Sequence, residues 1–526
     1  MALDDPRIGK LTSLIKDSFR VRPNQDPIYV DIGNHLSRLV AKQHQIIFGR
    51  RGSGKSCLLV HYHRTRVKHE GVFTVYIEAD EVKMLPYPDL LIRLLLSIGE
   101  GLRSATSTRM DRLLRRGSQR LRNELKVLRT LLDEAQVAQV SREVSGKSSA
   151  SAGVRLGPSG TTVSAELSGE EAARRTTEFT ARKIETLERH LQDYKSALVD
   201  AMAKSRFEHA AVIVDDFYLI EPRRQPDVID YMHRLLRGTE LYLKVGTVRH
   251  RTALVRYDGA QTVGVELAQD VEEINLDQTF EDIDATRKYL TRMLDSMAAN
   301  VGLNDFSEHH FSEEGLLQLT LASGGVPRDF LNIFVEAVDA ARDTAVKRLT
   351  PKSIYKGAGR VSYRTKLSNL REAAGTEASG LEMVFTDLTT YCLKEKRKTA
   401  FLVAQDDAAK YRDAHELIQQ LMDFKLIHVI EPDTSAASGR SGRYEAYTLD
   451  FALFMEPRLR NIEHAEFWKI DDQRRRRGLR EAPVYSLERA TAVLAAGKTE
   501  STEEAISGIQ AHAGFEDSAK ADPDDE

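Results

Sequence analysis

The sequence predicts a layered α/β core, a parallel sheet between helices, followed by further helices and then a small mixed domain. Three observations predict it. Short β-rich apolar runs at Gln45–Phe48, Val72–Glu78, Ala211–Val214, Leu241–Arg249 and Ile274–Leu276 alternate with helical patterns, the order of a parallel sheet. The stretch Gly49-Arg-Arg-Gly-Ser-Gly-Lys-Ser56 joins the first run to the first helix. The run Ala211-Val-Ile-Val214 ends in two carboxylates, Asp215 and Asp216.

The chain has 526 residues, room for three or so domains at about 150 residues each. Hydrophobic residues make up 41 % and charged residues 29 %, the balance of an ordinary globular protein. No apolar run approaches the ~18 residues of a membrane span, and Met-Ala-Leu-Asp-Asp lacks a secretory leader pattern. Cys57 and Cys392 stand far apart and form no metal or disulfide framework, which fits a reducing cytoplasm. The net charge of −3 advertises no global affinity for nucleic acid, so any such contact must be a local patch.

The pattern G-x-x-x-x-G-K-S is a phosphate-binding loop. Its glycines let the backbone turn tightly and aim successive N–H groups at phosphate oxygens. Gly49, Arg50, Arg51, Gly52, Ser53, Gly54, Lys55, Ser56 and Cys57 form this candidate site. Lys55 would reach the β- and γ-phosphates of ATP, and Ser56 would ligate Mg²⁺. The strand before and the helix after, at about 56–67, supply the required context. Asp215 would hold Mg²⁺ through water, and Asp216 would polarise the attacking water. The bland alternatives are a chance glycine turn and a strand ending in a helix cap.

Taken in order, residues 7–20 predict an amphipathic helix that docks either on a neighbouring subunit or on its own domain. Residues 26–33 are extended. Ile28, Tyr29 and Val30 are candidates for an adenine pocket. Residues 103–130 carry nine Arg and Lys against Asp111 and Glu124. Arg109, Arg112, Arg116 and Arg120 share one helical face, either a reader of DNA phosphates or a solvated face balanced by acids elsewhere. Gly157-Pro-Ser-Gly160 marks a hairpin or a flexible linker, and a long helix follows at 169–204. Residues 103–204 thus read as a helical insertion.

Asp227–Arg237 predicts a helix whose Arg234 and Arg237 reach a neighbour's nucleotide or cap their own helix end. Thr247 or Arg249 at a strand exit would sense the γ-phosphate. Helices follow at about 281–297, 312–322 and 328–347, and Arg328 after Gly324-Gly-Val-Pro327 opens the last of them. Beyond Leu381 come a helix, a short strand, helical segments and a hairpin of Leu426–Ile430 with Tyr444–Leu449, a winged-helix pattern. Its Ala414–Phe424 helix is not basic, so protein contact and DNA reading both stay open. Arg440 and Arg443 at the hairpin tip, then Arg458, Arg460 and Arg474–Arg477, are further basic positions. The acidic tail reads as disordered.

The order of these motifs resembles the AAA+ ATPases of the origin-recognition (initiator) type, with features of the STAND class of signalling ATPases. The resemblance covers roughly residues 26–450 and implies an αβα sandwich (26–280) carrying the insertion, a helical lid (281–350) and a winged-helix domain (351–480), while the flanking residues read as an N-terminal helical arm (1–25) and a disordered acidic tail (481–526). It implies ATP and Mg²⁺ at Lys55, Ser56, Asp215 and Asp216, Thr247 as a first sensor and Arg328 as a second. Asp215-Asp216 stands where initiators usually have Asp-Glu. Thr247-Val-Arg249 and Gly325-Val-Pro327 look more like STAND proteins, yet no repeat array follows. The expected activity is an ATP-hydrolysing switch that forms homo-oligomers on DNA or a DNA-bound partner. The alternative is a signalling scaffold that binds protein alone.

Overall fold

The computed structural model describes residues 3–31, 33–69, 71–106, 119–133, 169–342, 348–361, 366, 368, 370–372, 378–436, 442–454, 461–470, 476 and 478–497. Arg109, Arg112, Arg116, the turn at 157–160, Arg440, Arg458, Arg460, Arg474, Arg475 and Arg477 lie outside them.

The centre is a five-stranded parallel sheet in the order β2-β3-β4-β1-β7. Its strands are β1 (Gln45–Phe48), β2 (Val72–Glu78), β3 (His209–Asp215), β4 (Leu241–Thr247) and β7 (Glu272–Asn275). Every residue of β1 and β3 is buried, as expected of strands covered on both faces. Successive side chains point to opposite faces. Ile46, Phe48, Val212 and Val214 therefore enter one core, and Ile47, Ala211 and Ile213 enter the other. Helix α3 (Lys55–His69) packs on the second face through Leu58, Leu59 and Tyr62. The first face carries α4 (Asp89–Thr106), α7 (Gln225–Leu236) and the insertion, made of helix α5 (119–133) and helix α6 (Gly169–Ala203). This is the αβα sandwich that the alternating runs predict.

The insertion is fastened by an apolar stripe. Leu121, Leu125, Leu128 and Leu131 of α5 meet Leu187, Leu191, Tyr194 and Leu198 of α6 in the same core. One buried ion pair, Lys183 Nζ to Asp89 Oδ1 at 2.6 Å, ties α6 to the start of α4. A hairpin of β5 (Val255–Asp258) and β6 (Gln261–Gly264) is additional to the expected elements. Its two-residue turn, Gly259-Ala260, puts a glycine with φ of 64° at the first position, as tight hairpins favour.

After the sheet come α8 (Ile283–Ala299), α9 (Phe306–His310), α10 (Glu313–Ala322), α11 (Pro327–Arg342) and α12 (Pro351–Val361). Helix α1 (Pro6–Ser18) buries Ile8, Leu11 and Ile15 among them, so it docks on its own chain. The last part has the order helix (Ala378–Thr389), β8 (Ala400–Ala404), helix (Arg412–Asp423), β9 (Ile427–Thr434) and β10 (Tyr444–Leu449), with an antiparallel sheet β8-β10-β9. One expectation is corrected here. Residues 481–497 are not a disordered tail. Tyr485, Leu487 and Ala490 are fully buried, and the helix Leu487–Gly497 packs on the helices Ala378–Thr389 and Arg412–Asp423. The acidic composition that motivates the tail begins only after this helix. Among the described residues, no helix is long and apolar enough to cross a membrane.

Candidate nucleotide site

The phosphate loop leaves the C-terminal end of β1, between β4 and β7 in the sheet. Ligands of open α/β sheets bind at such ends, where neighbouring connections part to opposite faces. Gly49 N–H donates to the carbonyl of Thr247 at 3.2 Å, which fixes the loop's start against β4. Gly52 and Gly54 have φ of 93° and 100°, a region that only glycine adopts freely. A Cβ on Gly52 would also stand 2.9 Å from the Cβ of Arg328. The loop closes into α3, whose first turn turns its free N–H groups toward the cavity.

That cavity measures about 1970 Å³. Arg51, Gly52, Ser53, Gly54, Lys55, Ser56 and Cys57 line it, as do Tyr29, Val30, Asp216 and Arg328. Tyr29 stacks on His61 of α3 at 5.0 Å between centroids, and Ile28 offers its carbonyl to Cys57 Sγ at 3.5 Å. The extended segment thus lies beside the loop helix, where the sequence places an adenine pocket. Arg328 is brought in by α11: its backbone N–H donates to the Gly52 carbonyl at 3.2 Å, and its Nη2 donates to the Phe19 carbonyl at 3.1 Å.

Lys55 is almost fully buried and bonds only to carbonyls of its own loop, Gly49 at 2.6 Å and Arg50 at 3.2 Å. Burial lowers its pKa, and Asp216 and Asp215 pull it back up. Ser53 Oγ is buried without a hydrogen-bond partner. A buried cation folded on its own backbone beside an orphaned hydroxyl and a helix N-terminus suits phosphate oxygens. Asp216 sits in the left-handed region, φ 53°, at the end of β3. Burial first, and the neighbouring Asp215 second, raise its pKa to about 6.

Four expected residues do not line the cavity. Asp215 is buried behind Asp216, with Oδ1 accepting the Asp216 N–H at 2.9 Å and Oδ2 accepting the Tyr76 hydroxyl at 2.7 Å. Gly49 supplies only backbone. Thr247 is fully buried, and its hydroxyl bonds that of Thr252 at 2.6 Å. Thr252 and Arg249 line the cavity instead, because the chain turns back after Thr247 in a short helical turn. Arg50 is corrected more strongly: its guanidinium points away from the loop interior and is held by other segments. Arg234 is committed within the chain to Glu188 and Asp230 at 2.7 Å each, and the Arg237 carbonyl accepts Lys195 Nζ.

Sequence reasoning missed several residues in and behind the cavity wall. Tyr76 reaches Asp215 from β2, and Glu78 lies opposite Asp215 in the strand register and on the cavity wall. Both stand on the strand side by side with β3, so a predicted strand order would have found them. Arg251 lies over the rings of Tyr218, at 4.8 Å, and Phe424, at 5.6 Å. Arg412, Glu416, Gln419 and Gln420 of the Arg412–Asp423 helix close the cavity from the C-terminal side. No short-range signal in the sequence points to those four.

No family model matches the chain, and no curated protein matches it. Solved structures do. The Aeropyrum pernix ORC2 protein is 10 % identical over 94 % of this chain and 95 % of its own, with a TM-score of 0.36. The Walker-type ATPase PABY2304 of Pyrococcus abyssi is 13 % identical over 82 % and 97 %, also with a TM-score of 0.36. Cdc6p from Pyrobaculum aerophilum is 12 % identical over 83 % and 93 %, with a TM-score of 0.32. The chain is similar to these proteins along most of its length.

Proposed function

We propose that this protein is an AAA+ switch that binds and hydrolyses ATP, forms homo-oligomers in the ATP state and acts on DNA or on a DNA-bound partner. One observation carries the reading: Lys55, Ser56, Asp216 and Arg328, from three separate parts of the chain, converge on one cavity at the end of the sheet.

In this reading Lys55 leaves the Gly49 and Arg50 carbonyls and turns to the β- and γ-phosphates. The amides at the start of α3 take the remaining phosphate charge. Ser56 and Asp215 would hold Mg²⁺. When bound, the metal neutralises charge on the phosphates. Tyr76 keeps the Asp215 carboxylate turned for that task. Asp216 accepts the proton of the attacking water, whose oxygen bonds the γ-phosphorus as the bond to the bridging oxygen breaks, releasing ADP and phosphate. A pKa near 6 leaves Asp216 mostly ionised at neutral pH yet basic enough to help. Arg328 brings the lid to the γ-phosphate, while Thr252 and Arg249 replace Thr247 as the polar groups at the β4 exit.

A second reading is a signalling scaffold of the STAND kind that binds protein and no DNA. The helix Arg412–Asp423 favours it, because this part of the winged-helix domain is turned onto the cavity wall. Light scattering of the full chain with ADP, then with a Mg²⁺-ATP analogue, with and without duplex DNA, separates the two. Growth with the analogue that DNA enhances supports the first reading. Growth indifferent to DNA supports the second, and an unchanged size in every state refutes both.

A further inference from the structure

Arg50 belongs to the phosphate loop by sequence and to something else by contact. Its side chain is 8 % exposed and donates to Asp277 Oδ1 at 3.3 Å, to the Gln278 carbonyl at 2.7 Å and to the Gly324 carbonyl at 3.1 Å. Its remaining nitrogen, Nη1, meets His428 Nδ1 at 3.2 Å across 378 residues of sequence. One guanidinium therefore joins the phosphate loop, the exit of β7, the turn before α11 and strand β9 of the C-terminal sheet. A planar fork of donors that never loses its charge suits such a junction.

The proton positions follow from chemistry. Arginine can only donate, so His428 Nδ1 accepts. The ring proton then sits on Nε2 and is donated to Asp450 Oδ2 at 2.8 Å. The same oxygen accepts Lys366 Nζ at 2.5 Å. His428 and Asp450 are 2 % and 1 % exposed on their side chains, and burial keeps the imidazole neutral. The chain Arg50 to His428 to Asp450, closed by Lys366, thus has every member satisfied, the condition under which a buried polar network fixes one geometry. Packing leaves it no slack: a Cβ on Gly324 would stand 2.0 Å from His428 Cε1.

We propose that Arg50 and His428 are positioning residues that couple nucleotide in the phosphate loop to the seating of the C-terminal module. The inference rests on the nucleotide reading above. The link runs through Lys55, which bonds the Arg50 carbonyl at 3.2 Å. Phosphates draw Lys55 off that carbonyl, so the Gly49–Arg50 segment loses an anchor on the loop side. The Gly49 N–H stays on the Thr247 carbonyl and the Arg50 carbonyl still accepts the Ser53 N–H, while the amide and side chain of Arg50 hold Asp277, Gln278, Gly324 and His428. A shift of the segment is felt first at His428, the one of these in the C-terminal module. Two contacts next to it move with it: Lys425 Nζ to Asp329 Oδ1 at 2.9 Å, one residue after Arg328, and Asp423 Oδ2 accepting the His250 N–H at 3.1 Å. By linkage, whatever nucleotide does to the seating, the seating does to nucleotide affinity.

The test uses the full chain and measures amide exchange in β9 (427–434), together with ADP and ATP-analogue affinity. In the unmodified protein, nucleotide is expected to change exchange in β9 by about 5-fold or more. His428→Leu and Arg50→Gln are expected to abolish that nucleotide dependence while nucleotide still binds, its affinity changed by a similar factor. Arg50→Lys, which keeps the charge but loses the fork, falls between. Exchange in β8 (400–404), behind the network, reports whether each variant is folded. Binding of nucleotide with no response in β9 of the unmodified protein overturns the coupling alone. So does an Arg50→Gln protein that loses affinity as Lys55→Ala does while β9 still responds, for Arg50 would then act as a phosphate ligand. Failure of the unmodified protein to bind nucleotide removes the proposed function and the coupling together.

Discussion

The nucleotide cavity and the insertion both concentrate arginine, and they use it in opposite ways. In the cavity Arg328 is half-buried against the loop, Arg249 lies 4.2 Å from the Phe48 ring centroid and Arg251 lies against Tyr218 and Phe424. These cations converge on one space and are partly stripped of water. On the insertion Arg120 faces Asp200 at 3.1 Å, Arg129 faces Glu100 at 2.6 Å and Arg189 faces Glu185 at 2.6 Å, all on exposed side chains. Such surface pairs contribute about 0–1 kcal/mol each and are screened by salt. The difference teaches that a count of arginines does not locate a phosphate site. Convergence on one space and partial burial do.

The largest effect expected from this contrast is at Lys55. Lys55→Ala removes the one ammonium placed inside the loop, along with its charge-assisted bonds to phosphate. ATP affinity, measured by calorimetry, is expected to fall by about 100-fold or more. Normal affinity in this variant would show that the cavity is not the phosphate site.

Asp216→Asn comes next. It keeps the shape and removes the base, so ATP binding should persist while turnover falls by roughly 100-fold or more. Stability supplies an independent sign. The folded pKa of Asp216, about 6, lies above its ordinary 3.8. The nucleotide-free fold therefore loses stability as pH climbs from 3.8 to about 6, and the full loss is present above that. Asp216→Asn should raise the melting temperature of the nucleotide-free protein at pH 8, by the equivalent of about 1–3 kcal/mol, and hardly at all at pH 4. A melting temperature lowered at pH 8 would mean that the carboxylate is stabilised by its cations rather than strained by burial.

A smaller effect is expected where the C-terminal module meets the cavity. Asp423 is buried, with Asp277, Arg50 and Arg251 around it and the His250 N–H donating to it. Burial, then Asp277, raise its pKa to about 7. The same sign holds: the buried carboxyl leaves the fold most stable at low pH and destabilises it increasingly as pH rises from 3.8 toward 7. Asp423→Asn should flatten this dependence, so that the protection of β9, corrected for the intrinsic pH dependence of amide exchange, no longer falls between pH 4 and 7. Unaltered pH dependence would assign the titration to another group.

The sequence made the site's chemistry legible and hid its wiring. The limits of β1 and β2 follow from apolar runs, and the loop glycines state their own backbone geometry. Asp215 and Asp216 stand out because two carboxylates close a buried apolar strand downstream of the glycine loop. What failed depends on partners far along the chain. Nothing near Arg50 announces His428, nothing near Asp215 announces Tyr76, and Thr247 and Thr252 look equally eligible until the turn between them is seen. Composition misled at the other end: alanine-rich 487–497 precedes an acidic stretch and reads as its beginning, yet Leu487 and Ala490 fill a core. The hairpin turning at Gly259-Ala260 leaves little signal in the sequence, since its flanking strands are only four residues long.

The smallest effect is expected on the insertion, and it tests the other half of the comparison. Arg120 is the one member of the basic helical face (Arg109, Arg112, Arg116, Arg120) within the described residues. It is already opposed by Asp200 from α6. Approach of a DNA phosphate would have to displace that carboxylate, so the net gain is small even where the charge is exposed. Arg120→Ala should change duplex-DNA affinity by less than about 2-fold and stability by within about 0.5 kcal/mol. Asp200→Ala should do more than Arg120→Ala if DNA comes to this face, because it frees the arginine. A clear loss for Arg120→Ala, with the salt slope reduced by about one unit, would make this helix a backbone reader despite its acid partner. Equal and negligible effects of both variants would turn the search for a DNA contact from the insertion to the C-terminal module.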